Sequence, residues 1–148
     1  MLKNNLDVES ATMLAKIGTE KGIMLSGMTR DQTEASFVAQ SLQPADAILI
    51  ASDLQFMAVL NNLSLFNNNI GDDGAKAIAE ALKVNPVLNN LDLRRNSIGV
   101  DGAKAIAEAL KVNPVLTKLD LEYNNLGEAG KKAVRDAVKD RSGFVLEL

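Results

Sequence analysis

Three carboxylates recur at a spacing that invites chemistry: Asp92, Asp120 and Glu147, separated by 28 and 27 residues. Carboxylates brought close raise one another's pKa and can divide acid and base roles, and clustered acidic oxygens can hold a divalent ion. The rest of the sequence supports neither use. The chain has no His and no Cys, so it lacks an imidazole base, a thiolate nucleophile and the soft ligands of a structural metal site. Arg94 and Lys118 stand close enough in sequence to neutralise the acids. The stretch Asn67 to Gly74 has the outline of a calcium loop, but its Asp72 becomes Val100 in the following copy and the closing Glu is missing. Gly71, Gly74 and Lys76 outline a phosphate cradle, where Asp72 and Asp73 would repel the anion. The expectation is a protein with no cofactor, no metal and no enzymatic activity.

The elements that carry these residues follow from a repeat. Leu60 to Val87 and Leu88 to Val115 are the same 28-residue sequence with five changes, and a period of that length marks a stacked array. Each copy opens with Leu at L-x-x-L-x-L-x-x-N-x-I: Leu60, Leu63, Leu65, Asn68, Ile70, then Leu88, Leu91, Leu93, Asn96, Ile98. Alternation at Leu63 and Leu65 predicts a strand buried on one side. Gly74, Ala77, Ile78, Ala81 and Leu82 then form one apolar helical stripe, with Lys76, Glu80 and Lys83 outside it. Asp72 and Asp73 sit where a helix start favours acceptors and negative charge. Asn85-Pro86 and Asn113-Pro114 end the helices, because the residue before Pro is pushed out of the helical region. Strand, loop, helix and turn repeat, so successive strands run parallel.

The pattern from Leu60 to Leu126 resembles the ribonuclease-inhibitor-like subclass of leucine-rich repeat proteins. The resemblance implies an α/β fold: a right-handed leucine-rich repeat solenoid with a parallel β-sheet on the concave side and α-helices on the convex side. It also implies binding of a protein partner. That family includes actin-capping tropomodulins and the Ran GTPase-activating protein, so a regulator of a GTPase or of a cytoskeletal protein is an alternative role.

The whole chain, 1–148, reads as a single leucine-rich repeat domain. Residues 1–21 form a partial repeat with a helix over roughly Val8 to Lys21, a cap whose Lys16, Glu20 and Lys21 keep its outer side wet. Residues 22–59 form a degenerate repeat with an insertion of about eight residues, since Leu6 and Leu42 lie 36 positions apart. In it Ala35, Phe37, Gln40 and Leu42 replace Leu63, Leu65, Asn68 and Ile70. Gln40 in the Asn column predicts a looser bend there. Residues 60–87, 88–115 and 116–142 are regular repeats, the last with a charged helix, and 143–148 is a terminal strand whose bare edge offers self-association, so a structural fragment of a larger repeat array that self-associates through its exposed ends is a further alternative role.

Composition narrows the partners. A net charge of −3 with no basic cluster gives no footprint for nucleic acid. The longest apolar run, Ala47 to Ala51, is too short for a membrane span, and no signal-peptide layout precedes it. The reading is a soluble, cytoplasmic protein.

Function is sought on the open face of the sheet. The five differences between the near-identical copies are Ser64/Asp92, Phe66/Arg94, Asn67/Arg95, Asn69/Ser97 and Asp72/Val100. Four of them fall on the strand face opposite the leucines or in the adjoining loop, whereas the solvated helix positions are unchanged. The candidate partner-binding residues are Asn62, Ser64, Phe66, Asn67, Asn90, Asp92, Arg94, Arg95, Lys118, Asp120, Glu122 and Tyr123, centred on Phe66, Arg94, Arg95 and Tyr123. Exposed aromatics and Arg anchor protein interfaces; drift on a solvated face is the bland alternative. The Asn column Asn68, Asn96, Asn124 is assigned to closing the bends.

Overall fold

The computed structural model describes residues 1–148. In chain order its elements are α1 (Val8–Lys21), β1 (Glu34–Ser36), α2 (Pro44–Leu54), β2 (Asn62–Ser64), α3 (Gly71–Val84), β3 (Asn90–Asp92), α4 (Val100–Val112), β4 (Lys118–Asp120), α5 (Gly127–Val138) and β5 (Val145–Glu147). The strands form one parallel sheet in sequence order. Each register step equals one repeat: Ala35 stands beside Leu63, then Leu91, Leu119 and Leu146. The fold is an α/β solenoid, with the sheet on the concave side and the helices on the convex side.

Curvature follows from the two layers. Parallel strands lie about 4.8 Å apart, whereas helices need about 8–10 Å, so the helical layer takes the outer arc. Small residues keep that arc tight. A Cβ on Gly74 would lie 2.8 Å from the Ala47 Cβ, and one on Gly130 would lie 2.9 Å from the Ala103 Cβ. The buried stripe is therefore wider than the expected one. Ala75 and Ala79 are buried beside Gly74, Ile78, Ala81 and Leu82, because each helix packs on the sheet and on both neighbouring helices.

Two ladders of buried and half-buried side-chain amides tie the repeats together. On one side of the sheet Asn68, Asn96 and Asn124 close the bends as expected. Asn124 Nδ2 donates to the Leu93 and Leu121 carbonyls at 2.9 Å, and its Oδ1 accepts from the Asn96 and Ile98 N–H groups at 2.9 and 3.0 Å. At the far ends of the helices Asn85 and Asn113 do more than precede Pro. Asn113 Nδ2 donates to Leu82 O at 2.6 Å, and its Oδ1 accepts from Val115 and Leu116 N–H at 2.9 and 2.8 Å. One period later Arg141 takes the same column and donates to the carbonyls of Asn113 and Leu116.

Three local expectations are corrected, and the insertion finds its place. The Gln40 bend is not left loose: Asn68 Oδ1 of the next repeat accepts from Gln40 N–H at 3.0 Å and from Leu42 N–H at 2.9 Å. Asp72 does not cap its own helix; its Oδ1 accepts from Gly99 and Gly102 N–H at 2.7 and 3.0 Å and so caps α4 of the following repeat. The insertion is held against α2. Asp53, fully buried on α2, accepts from the N–H groups of Leu25 and Ser26 and from Ser26 Oγ, while Arg30 stacks on Phe56 at 5.3 Å. Finally, the side of α1 away from the core is not uniformly polar, because Met13 and Ile17 are exposed there.

The bends come in two forms although their sequences nearly match. After a first left-handed residue, at Ala39, Asn67, Arg95 or Tyr123, a second falls at Ser41 and Ser97 in two repeats and at Gly71 and Gly127 in two others. In the second form Asn68 N–H turns onto Arg95 O at 3.1 Å. Asn96 Oδ1 is consequently buried without a donor.

Candidate partner-binding face

The uncovered face of the sheet is built from residues that alternate with the buried leucines. Asn62, Asn90 and Lys118 form a first row across β2, β3 and β4, and Ser64, Asp92 and Asp120 a second. Phe66, Arg94 and Glu122 follow as the chain leaves each strand. Asn67, Arg95 and Tyr123 then take the left-handed conformation, with φ between 52° and 58°.

Charges on this face are only partly compensated. Arg94 grips Asp92 with two donors, Nε to Oδ1 at 3.0 Å and Nη2 to Oδ2 at 2.8 Å, and its Nε also lies 3.1 Å from Asp120 Oδ2. Ser64 Oγ donates to Asp92 at 3.3 Å. Burial pushes the Asp92 carboxyl up, but the Arg94 guanidinium and N–H and the Ser64 hydroxyl outweigh it and hold the group below its ordinary range. At Asp120 burial prevails: with the charges of Asp92 and Glu147 it lifts the carboxyl, against the Glu122 N–H and Arg94. One guanidinium therefore serves two carboxylates. The acid pair is a bound ion triad on an open sheet, which offers neither a free base nor a water-excluded pocket.

The four residues at the centre of the candidate set do come together. Arg94 lies 4.9 Å from the centroid of the Phe66 ring, and Arg95 lies 5.9 Å from Phe66 and 5.0 Å from Tyr123. Cations at such distances are attracted by the ring faces. Tyr123 is 69% exposed. Arg95 and Lys118 form no salt bridge, in contrast with Arg94. The paired changes Ser64/Asp92 and Phe66/Arg94 thus brought in a charge together with its counter-charge, whereas Asn67/Arg95 brought in an uncompensated one. The fifth difference, Asp72/Val100, lies away from this face at the α4 start.

Three face residues escaped the sequence reading. Glu34, Ser36 and Val38 extend the rows over β1, with Glu34 accepting from Asn62 Nδ2 at 3.2 Å and Val38 42% exposed. Glu34, Ser36, Asn62, Ser64, Asn90 and Asp92 border a depression of about 440 Å³. Counting back one period from Asn62, Ser64 and Phe66 would have found all three.

The profile of the leucine-rich repeat family matches residues 58–79, 84–107 and 112–134, the stretches that form β2 to β4 with their helices. The chain is a leucine-rich repeat protein. No curated protein matches it. Among solved structures, this leucine-rich repeat chain is similar to one described as leiomodin-1 actin-binding site 2, with 21% identity, a TM-score of 0.71, and 96% of this chain and 79% of that one covered. It is also similar to a tropomodulin C-terminal domain from Caenorhabditis elegans, with 14% identity, a TM-score of 0.72, and 97% and 83% covered. At these identities the likeness is one of fold. No helix of the repeats is long and apolar enough to cross a membrane.

Proposed function

We propose that this leucine-rich repeat chain is a non-enzymatic binding module that grips a protein partner through the concave sheet face, with residues 1–148 acting as one domain in the cytoplasm. The observation that carries the reading is Arg95 stacked against Phe66 and Tyr123 with no carboxylate partner in its own chain. A guanidinium held this way has lost much of its rotamer freedom before binding and keeps its donors for another molecule. Binding anchors of this type are enriched in Arg and Tyr.

The leiomodin structure's description makes actin the first partner to test, and with it a cytoskeletal role. Co-sedimentation with filaments and binding to monomeric actin would be compared for the native chain and for Arg95→Ala with Tyr123→Ala. Loss of at least tenfold in affinity in the double variant is expected; a partner held equally by both forms would move the site off this face. Regulation of a GTPase is the weaker role, and silence of a GTPase panel would retire it. Self-association through the outer edge of β5, which pairs with β4 alone, is the competing reading.

A further inference from the structure

The β4–β5 end of the concave face has an internal template for what it can bind. Where β3 and β4 run side by side, Asp92 and Asp120 stand opposite one another in register, and Arg94 lies across them, 2.8 Å from one carboxylate and 3.1 Å from the other. One strand further on, Asp120 and Glu147 are paired in the same register. The residue in the Arg94 position of that repeat is Glu122. No guanidinium bridges this second pair, since Arg94 reaches Asp120 but not Glu147, and Lys118, the only cation in its row, forms no salt bridge with either acid. Asp120, Glu122 and Glu147 therefore share a fraction of Arg94 and carry surplus negative charge. Asp120 is 8% exposed, so an ion pair made there is stronger than one in bulk water.

A second property of the same face points to an extended polypeptide rather than a free ion. Away from the acids, toward β1, Val38 is 42% exposed, and the Phe66 ring is half-buried beneath Arg94 and Arg95. Beside them, over β1 to β3, lies the 440 Å³ depression bordered by Glu34, Ser36, Asn62, Ser64, Asn90 and Asp92. Apolar contact at one end and under-compensated carboxylates at the other suit a segment laid across the strands. We propose that the concave face takes an extended partner segment carrying an Arg or Lys, seated between Asp120 and Glu147 as Arg94 is seated between Asp92 and Asp120. The proposal rests on the concave-face reading and adds the chemistry of the partner to it.

The test is selection of a phage-displayed random dodecapeptide library on the intact chain, followed by titration of the enriched peptides against three variants. Enriched peptides should carry Arg or Lys, lose about tenfold in affinity to Asp120→Asn with Glu147→Gln, and weaken with salt. Glu147→Gln alone, at an exposed side chain, keeps the test valid if the double variant fails to fold. Peptides that are neutral or acidic, indifferent to both carboxylate variants yet weakened by Arg95→Ala with Tyr123→Ala, overturn the cation seat and leave the concave face standing. An absence of enriched peptides, or binding that none of the variants alters, overturns both.

Discussion

Arg94 touches two neighbouring carboxylates with opposite outcomes, prevailing over burial at Asp92 and not at Asp120. Asp92 is held below its ordinary value of 3.8, so its contribution to stability is present above that value and is lost as pH falls through the lower folded one. Asp120 is shifted the other way; its contribution favours folding below 3.8 and is lost as pH rises through the raised folded value. Arg94→Ala removes the cation from both. We expect a loss on the order of 1–2 kcal/mol at neutral pH, discounted from a fully buried pair because both carboxylates keep some solvent contact, together with a shallower fall of stability on acidification. Urea unfolding as a function of pH measures both, and an identical offset at every pH would show that the loss comes from packing instead. Asp120→Asn should flatten the opposing trend without weakening the fold at neutral pH.

Asp72 makes a second prediction at this scale. Its carboxylate caps α4 from the neighbouring repeat, so Asp72→Ala should cost about 1 kcal/mol and speed hydrogen exchange at Gly102 N–H. Protection at Asp73 and Gly74, in its own helix, should change little. A loss confined to α3 would instead restore the ordinary, local capping role. Sequence reasoning placed Asp72 at a helix start and chose the wrong helix. The register between repeats sets that partner, and no local propensity encodes it.

At the level of elements, the strands are only three residues long and contribute few backbone hydrogen bonds each. Much of the order between repeats therefore comes from the amide ladders. Asn113→Ala would leave the Leu82 carbonyl and the Val115 and Leu116 N–H groups buried without their partner, at a cost of about 2–4 kcal/mol. Thermal unfolding would reveal it, and a change below the error of that measurement would mean that water replaces the amide. The ladder explains why Asn precedes Pro twice, where sequence alone accounts only for the helix stop. It also explains Arg141, which looks like one more surface charge after a polar last helix until its donors are seen on the main-chain carbonyls of Asn113 and Leu116.

For the whole molecule, the two ends differ. Helix α1 exposes Met13 and Ile17. On α5 Lys132 forms an ion pair with Asp136, while Arg135 and, just past the helix, Lys139 are exposed and form none. A two-fold pairing of β5 edges would bring these cationic sides together, so we expect the intact chain to be a monomer by light scattering behind size exclusion. A dimer that is lost when Phe144 to Leu148 is removed would place self-association ahead of concave-face binding.

The period of 28, the alternation at Leu63 and Leu65, the Asn column and the Pro stops were sufficient to read the solenoid, its strand register and the rows of the open face from sequence, because each is a local pattern repeated in phase. What only the tertiary structure decided are the contacts made across that period. Asp72 reaches the next helix, Asn68 secures the Gln40 bend, Asp53 anchors the insertion, and Arg94 bridges two strands while Arg95 remains without a counter-ion. In each case the partner is one repeat away, brought within a few ångströms by the parallel stacking, so side-chain geometry rather than sequence spacing chooses between candidates.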